Sequence, residues 1–283
     1  MKSSPAQELN RWYKKFIDSE ILVNNFIAND PVQFPLRYAK SKVKIGNSGC
    51  RSGIFADTEI AAFLAATIAW GRRDLIIRSA EKMFALMKPT PAAFVMSDGR
   101  RNLKNGNIHR TFFESDLHYF CRGFRHCYAK YGSLEKLFAS APDIWQGIAL
   151  FREEMAGANG GRYSKHIADP GGTSAHRTGA GSACKRIHLA LRWLVREGPV
   201  DLGLWKKISP AALYIPLDVH VARTARRLGL LNRKSNDKKA VIELTEKLRK
   251  FCPEDPVKYD LALFGMGVLG NKASDNLPRF AVH

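Results

Sequence analysis

The helical spacing of apolar residues constrains the fold of this chain most strongly. The segment EIAAFLAATIAW, residues 59–70, is apolar nearly all round, which predicts a central buried helix. No run alternates apolar and polar residues for long, so strand signals are few. The chain is therefore predicted to be all-α. Amphipathic helices are predicted over 5–29, from 72 to Pro89, 116–131, in two short pieces of 133–155, over 182–197, 217–231 and 236–251, and from Asp255 onward.

The charge of the chain indicates a polyanionic partner. Lysine and arginine number 45 against 26 acidic residues, which gives a formal net charge of +19. Residues 182–234 alone contain eleven basic and three acidic residues. Nucleic acid is the default partner for such a surface, and a basic surface that only keeps the protein in solution is the alternative.

The sequence gives no sign of a membrane or secretory segment, because it has neither a long apolar run nor the apolar core of a signal peptide. We therefore expect a cytoplasmic protein. Five cysteines occur without a C-x-x-C pair, and they are interpreted as reduced, mostly buried thiols rather than zinc ligands or disulfides. They are Cys50, Cys121, Cys127, Cys184 and Cys252.

A glycine-rich stretch, residues 156–181, is the longest predicted loop, and the helix predicted over 182–197 follows it. Gly179, Gly181 and Ser182 precede this helix, whose unpaired backbone N–H groups form a potential phosphate site. The alternative is a flexible loop with Ser182 as a plain N-cap.

Lys185 lies in the first turn of that predicted helix, between Cys184 and Arg186. The positive end of the helix dipole and the neighbouring guanidinium both disfavour a charged amine, which favours a nucleophilic lysine. The alternative is a solvated lysine or one that contacts a phosphate.

Asp218 stands at the start of a second basic helix, after Pro216 and Leu217. An N-cap role is sufficient to explain an aspartate at this position, so a catalytic role must be argued from its surroundings. His220 could be a buried hydrogen-bonded residue, a phosphate contact or a general base.

These segments resemble a known superfamily. The string PLDVHVAR, with the RLGLL run after it, is similar to the aspartate-containing segment of the helix-hairpin-helix DNA glycosylases. The strings AWG at 69–71, HRTF at 109–112, CKRIHLALRWLVR and DPVKYDLALFGMG resemble an uncharacterised bacterial family commonly placed in that superfamily. The resemblance covers most of the chain.

The resemblance implies two helical lobes that flank a DNA-binding cleft, here approximately 58–197 and 1–57 plus 198–283, in a single globular unit. A base flips into a pocket, and its N-glycosidic bond is cleaved. Lys185 would attack the sugar C1′ with help from Asp218. The expected partner is double-stranded DNA, bound by a cytoplasmic, nucleoid-associated monomer without cofactor or metal. The expected DNA contacts are Gly181, Ser182, Arg186, His220 and Arg223.

The chain departs from the better-known glycosylases of this superfamily, and these differences limit the substrate and the cofactors that we expect. The Leu-Pro-Gly-Val-Gly-like hairpin is absent, and Lys185 and Asp218 are 33 residues apart, a wide separation that resembles archaeal 8-oxoguanine glycosylases. An oxidised purine is therefore the expected substrate. No cysteine follows Gly270, which argues against an iron–sulfur cluster.

Trp70 and Trp193 are candidates for stacking on a flipped base, with core packing as the alternative. Phe112 has the same two interpretations, and His109 and Arg110 could contact DNA or bridge the lobes. The sequence thus predicts a base-excision repair glycosylase, with AP lyase activity if Lys185 forms a Schiff base. A non-catalytic DNA-binding or damage-sensing module, or an RNA-binding protein, is the alternative.

Overall fold

The structure is a computed structural model that describes residues 3–40, 50–97, 103–171 and 181–269. Gly179 and the side chain of Cys50 lie outside the described residues. The described part is mostly helical, which confirms the predicted all-α class. Its helices are α1 Pro5–Ile17, α2 Glu20–Ala28, α3 Gln33–Ala39, α4 Cys50–Thr67, α5 Arg73–Leu86, α6 Pro91–Met96, α7 Glu114–Tyr131, α8 Leu134–Ala139, α9 Ile144–Gly157, α10 Lys185–Val195, α11 Val219–Arg227, α12 Lys238–Arg249 and α13 Tyr259–Leu269.

The amino-terminal segment forms two helices, so the single helix predicted over 5–29 is wrong. α1 ends at Ile17, and the Ser19 hydroxyl accepts a hydrogen bond from the Leu22 amide at the start of α2. The apolar spacing continues across the break, because α1 and α2 both direct apolar residues toward the core. The N-cap residue Ser19 therefore indicates the break between α1 and α2, which the apolar periodicity does not indicate.

Helix α4 is the central helix of the core, as its all-round apolar character predicts. Residues 60–66 are wholly or almost wholly buried, and α4 packs against α3, α6 and α10. It ends at Thr67, so Trp70 lies in the following turn rather than on the helix. Phe63 of α4 is the centre of an aromatic cluster with Phe124, Phe138, Phe151 and Trp205.

A short β-hairpin connects the α5–α6 region to α7. Strand β1, Asn107–His109, pairs antiparallel with β2, Phe112–Phe113. The sequence did not predict this hairpin, because strands of three and two residues are too short to show an alternating pattern.

Helix α10 begins at Lys185, three residues later than predicted. Its N-cap is Cys184, which has a left-handed backbone with φ of 45°, and the interpretation of Ser182 as the N-cap is wrong. Ser182 precedes the turn; its amide donates to the Asp169 carbonyl at 2.8 Å, and its hydroxyl accepts from the Cys184 amide at 3.2 Å. Lys185 is consequently the first residue of α10.

Helix α11 begins as predicted, with Asp218 as its N-cap. It packs closely on α13: a side-chain carbon built on Gly267 would lie 3.0 Å from the His220 carbonyl oxygen. The segment opened by Asp255 and Pro256 first forms a 3₁₀ turn, Pro256–Lys258, before α13. No helix in the described part of the chain is long and apolar enough to cross a membrane.

Candidate functional site

A cavity of about 410 Å³ lies where α2, the α4–α5 turn, α10, α11 and α13 meet. Its volume is in the range of pockets that hold small molecules or single nucleotides. Its wall contains five of the residues singled out from the sequence. These are Trp70, Lys185, Arg186, Asp218 and His220.

Lys185 is half-buried at the first position of α10. Its ammonium group makes no hydrogen bond or ion pair with any residue that the structure describes, including Asp218, which lines the same cavity. The backbone amides of Lys185 and Arg186 also lack partners among the described residues. The start of α10 therefore presents an amine and two N–H groups that remain available for a ligand.

Asp218 is held firmly by the helix that it caps. Its Oδ1 accepts hydrogen bonds from the amides of His220 and Val221, both at 2.8 Å. Its other oxygen, Oδ2, has no hydrogen bond to the described residues. One carboxylate oxygen thus anchors the side chain, and the other is available for chemistry.

The cavity contains buried acidic residues that sequence reasoning missed. Burial raises the pKa of Asp260 to about 7, although Arg192 opposes this shift, and Arg192 Nη1 donates to Asp260 Oδ2. Burial also raises the pKa of Asp30, against the opposing charge of Arg73, whose Nη2 is 3.6 Å from Asp30 Oδ2. Both carboxyl groups are consequently more easily protonated than exposed ones.

Arg192 contributes an unsatisfied donor to this group. Its Nε donates to Asp201 Oδ1 at 3.2 Å, whereas its Nη2 is buried and has no hydrogen-bond partner among the described residues. A buried N–H without an acceptor lowers the stability of the fold. The available signal was a charged residue on an otherwise apolar helix face, at Arg192 in α10 and at Asp260 in α13.

Aromatic and apolar side chains form the rest of the wall. Phe26, Leu189 and Phe264 line it, and the Arg73 guanidinium lies 4.9 Å from the centre of the Phe264 ring. Trp70 stacks on the His166 ring at 5.7 Å. Flat apolar walls with a few buried polar groups suit a planar heterocycle.

A second cavity of about 290 Å³ shares Lys185, Arg186, Asp218 and Val219 with the first. Gly181 and Ser182 are in the loop before α10. Gly181 has φ of 74°, and a side-chain carbon there would lie 2.3 Å from the Pro170 carbonyl oxygen, so the tight approach of the two loops requires glycine. Ser182 lines this second cavity and is exposed.

The structure places the remaining candidates differently. Trp193 is fully buried in the core and lines neither cavity, so it is not placed to stack on a flipped base. Arg186 donates to the Thr67 carbonyl at 2.9 Å and lies over the Trp70 ring, and it is therefore partly committed to packing. Arg223 is exposed, with Nη2 donating to the Gly267 carbonyl at 3.0 Å. Among the described residues no cluster of histidine, cysteine or acidic side chains is suited to hold a metal ion.

The chain belongs to the family described as "Protein of unknown function (DUF2400)", whose profile matches residues 30–269. This range contains both helix starts and every residue that lines the larger cavity except Phe26. Comparisons with curated proteins and with solved structures give no significant match.

Proposed function

We propose that this protein is a DNA base-excision glycosylase with AP lyase activity, in which Lys185 is the nucleophile and Asp218 assists it. The observation that carries the proposal is that Lys185 and Asp218, 33 residues apart in the sequence, line one cavity without pairing with each other. A carboxylate beside an unpaired lysine supports the proposal, because an adjacent base is one way in which a nucleophile is activated.

In the proposed reaction the neutral amine of Lys185 attacks C1′ of the damaged nucleotide. The new C1′–Nζ bond forms as the C1′–base bond breaks, and the electron pair leaves with the base, which takes up a proton. The nitrogen, positively charged after the attack, then loses one proton to Asp218, and its lone pair forms the C1′=N bond. The C1′–O4′ bond breaks, O4′ takes up a proton from Asp218, and a protonated Schiff base results. Loss of a C2′ proton next breaks the C3′–O bond with the 3′ phosphate as the leaving group.

Asp218 supports the first step through its free oxygen. It accepts the proton that Lys185 must lose, or stabilises the positive charge that develops on the sugar. Its hydrogen bonds to the amides of His220 and Val221 fix its position before substrate arrives. An anchored charge needs no reorganisation during the reaction.

The larger cavity would hold the flipped base. The readily protonated carboxyl groups of Asp30 and Asp260 can donate to a carbonyl oxygen of the base or accept from its ring N–H groups. An oxidised purine presents a carbonyl oxygen and ring N–H groups on one edge, and such groups match this set. Phe264 and Leu189 supply apolar surfaces for its faces.

The backbone of duplex DNA would lie across the basic residues around the two helix starts. The unpaired amides of Lys185 and Arg186 suit a phosphate, as does the exposed Arg223. Val219, which is 66% exposed beside Asp218, offers an apolar contact to the sugar.

The proposal is tested by measuring base release by mass spectrometry from duplexes that each contain one oxidised, deaminated or alkylated base. We expect release of an oxidised purine together with strand nicking, and loss of both in Lys185→Ala. Lys250→Ala is the matched control, because Lys250 is exposed at the carboxyl end of α12 and lines neither cavity.

Two outcomes would contradict the proposal. Tight duplex binding without release of any base would indicate a non-catalytic damage-sensing module. Preference for structured RNA over duplex DNA at matched salt would indicate an RNA-binding protein.

A further inference from the structure

The tip of the β1–β2 hairpin is a feature that the proposed reaction does not yet use. His109 pairs with Phe112 across the strands, which leaves Arg110 and Thr111 as a two-residue turn. Both are exposed, whereas His109 and Phe112 are buried. The hairpin therefore carries an exposed arginine at its tip, next to the buried residues His109 and Phe112.

The backbone of this tip is held from several sides. The side-chain Nδ2 of Asn107 donates to the Arg110 carbonyl oxygen at 2.7 Å, and His166 Nε2 lies 3.2 Å from the Thr111 carbonyl oxygen. His109 contacts the Trp70 carbonyl oxygen through Nε2 and the Ser79 hydroxyl through Nδ1, both at 2.9 Å. The turn is therefore a fixed platform rather than a loose loop.

The backbone of Arg110 has a conformation that is unfavourable for an arginine. Its φ is 50°, a left-handed conformation that glycine or asparagine adopts more easily than arginine. Its guanidinium makes no ion pair or hydrogen bond with the described residues. Neither the local backbone nor a hydrogen bond or ion pair within the described structure accounts for arginine at this position.

The Arg110 side chain lies against a wall residue of the larger cavity, although Arg110 does not itself line that cavity. A side-chain carbon built on Gly71 would be 2.7 Å from Arg110 Nη1, and Gly71 is part of the cavity wall together with its neighbour Trp70. The guanidinium consequently sits beside the space in which the proposed function places a flipped base.

We propose that Arg110 enters the duplex where the base has left it and stabilises the opened base pair. This inference rests on the proposed function, because it requires a base to move into the cavity. A base that flips out leaves a gap in the stack and an unpaired partner on the opposite strand. A planar guanidinium can stack in that gap, and its five N–H groups can donate to the acceptors of the orphaned base.

The test compares excision from two substrates that carry the same damaged base. One is fully paired, and in the other the lesion lies in an unpaired bubble, where no base pair has to be opened. The variants are Arg110→Gly and Arg110→Asn, which suit the positive φ and leave the fold intact, with Lys250→Ala as the control for the loss of one charge.

We expect single-turnover excision from the paired duplex to fall by about 10- to 100-fold in both Arg110 variants. Excision from the bubble should change less than about twofold, since the gap is already open. The control should match the wild type on both substrates. A second readout needs no chemistry: fluorescence of 2-aminopurine in place of the damaged base should rise on binding of the wild type and rise less with either variant.

An equal loss on both substrates would show that Arg110 only contacts a phosphate, and it would overturn the inference. Unchanged excision from the paired duplex would overturn it as well. Wild-type protein that is inactive on both substrates would instead refute the proposed glycosylase activity. If the wild-type protein is inactive, an equal rise in fluorescence with the wild type and with the variants would independently overturn the inference about Arg110.

Discussion

At the residue scale, Lys185 and Asp218 differ in how they are held. Asp218 is fixed by two backbone amides, whereas the Lys185 amine has no partner among the described residues. A fixed carboxylate and an unpaired amine suit a reaction in which the amine bonds to C1′ and the carboxylate stays in place to stabilise charge.

Glu59 provides a residue-scale prediction about stability, away from the candidate site. It is fully buried on α4, and it accepts hydrogen bonds from the Tyr128 hydroxyl and the amides of Leu134 and Glu135. Burial nevertheless dominates and raises the pKa of Glu59 from 4.5 to about 7. A protonated Glu59 is therefore favoured in the folded state over the unfolded state.

Because the folded pKa is the higher one, this contribution is present below about pH 4.5 and is lost as the pH rises through about 7. It amounts to at most about 3 kcal/mol. Urea unfolding at about pH 5 and about pH 8 should show that the advantage of the wild type over Glu59→Gln shrinks at the higher pH. Parallel pH profiles for the two proteins would contradict the assignment.

Residue types on the helices predicted the site only in part. Lys185, Asp218 and His220 could be selected because they begin helices, a position that the sequence reveals. Arg192 lies inside α10, and Asp30 lies in the turn after α2. Asp260 lies in the first turn of α13, but the sequence placed the start of that helix at Asp255. Their grouping depends on how α2, α10 and α13 pack, and residues far apart in sequence do not reveal such packing.

At the element scale, caps explain which helix starts could be predicted. Asp218 is a standard acceptor N-cap, so the start of α11 was located correctly. α10 instead starts after Cys184 in a left-handed conformation, which cysteine rarely adopts, and its start was therefore placed three residues early. α1 and α2 were merged because one apolar stripe continues through both.

The cap also allows the structural and chemical roles of Asp218 to be separated. Asparagine caps a helix about as well as aspartate, whereas alanine at an N-cap costs about 1 kcal/mol. We expect Asp218→Asn to unfold at nearly the wild-type urea concentration and Asp218→Ala at a lower one. Both should lose about 10²- to 10⁴-fold in single-turnover base excision, because neither has a carboxylate.

The comparison of the two variants decides between the roles. Activity that follows stability, with Asp218→Asn nearly as active as the wild type, would mean that Asp218 only caps α11. Equal loss of excision despite unequal stability would assign the carboxylate a direct part in the reaction.

At the scale of the whole molecule, the apolar periodicity predicted the all-helical class, which the described structure confirms. The charge of +19 predicts a polyanionic partner. The sequence does not predict the cavity, because five segments that span residues 26–264 contribute to it. Packing of α11 on α13 and of α10 on α4 brings the two helix starts together. Local sequence determines each helix, but the site exists only once those helices have packed.

Borohydride trapping of the protein on duplex DNA that contains 8-oxoguanine or an abasic site tests directly whether Lys185 is the nucleophile. Reduction converts a Schiff base into a stable adduct, and peptide mapping locates the modified side chain. The account predicts an adduct on Lys185 that disappears in Lys185→Ala and persists in Lys250→Ala. An adduct on another residue, or none with either DNA, would contradict Lys185 as the nucleophile.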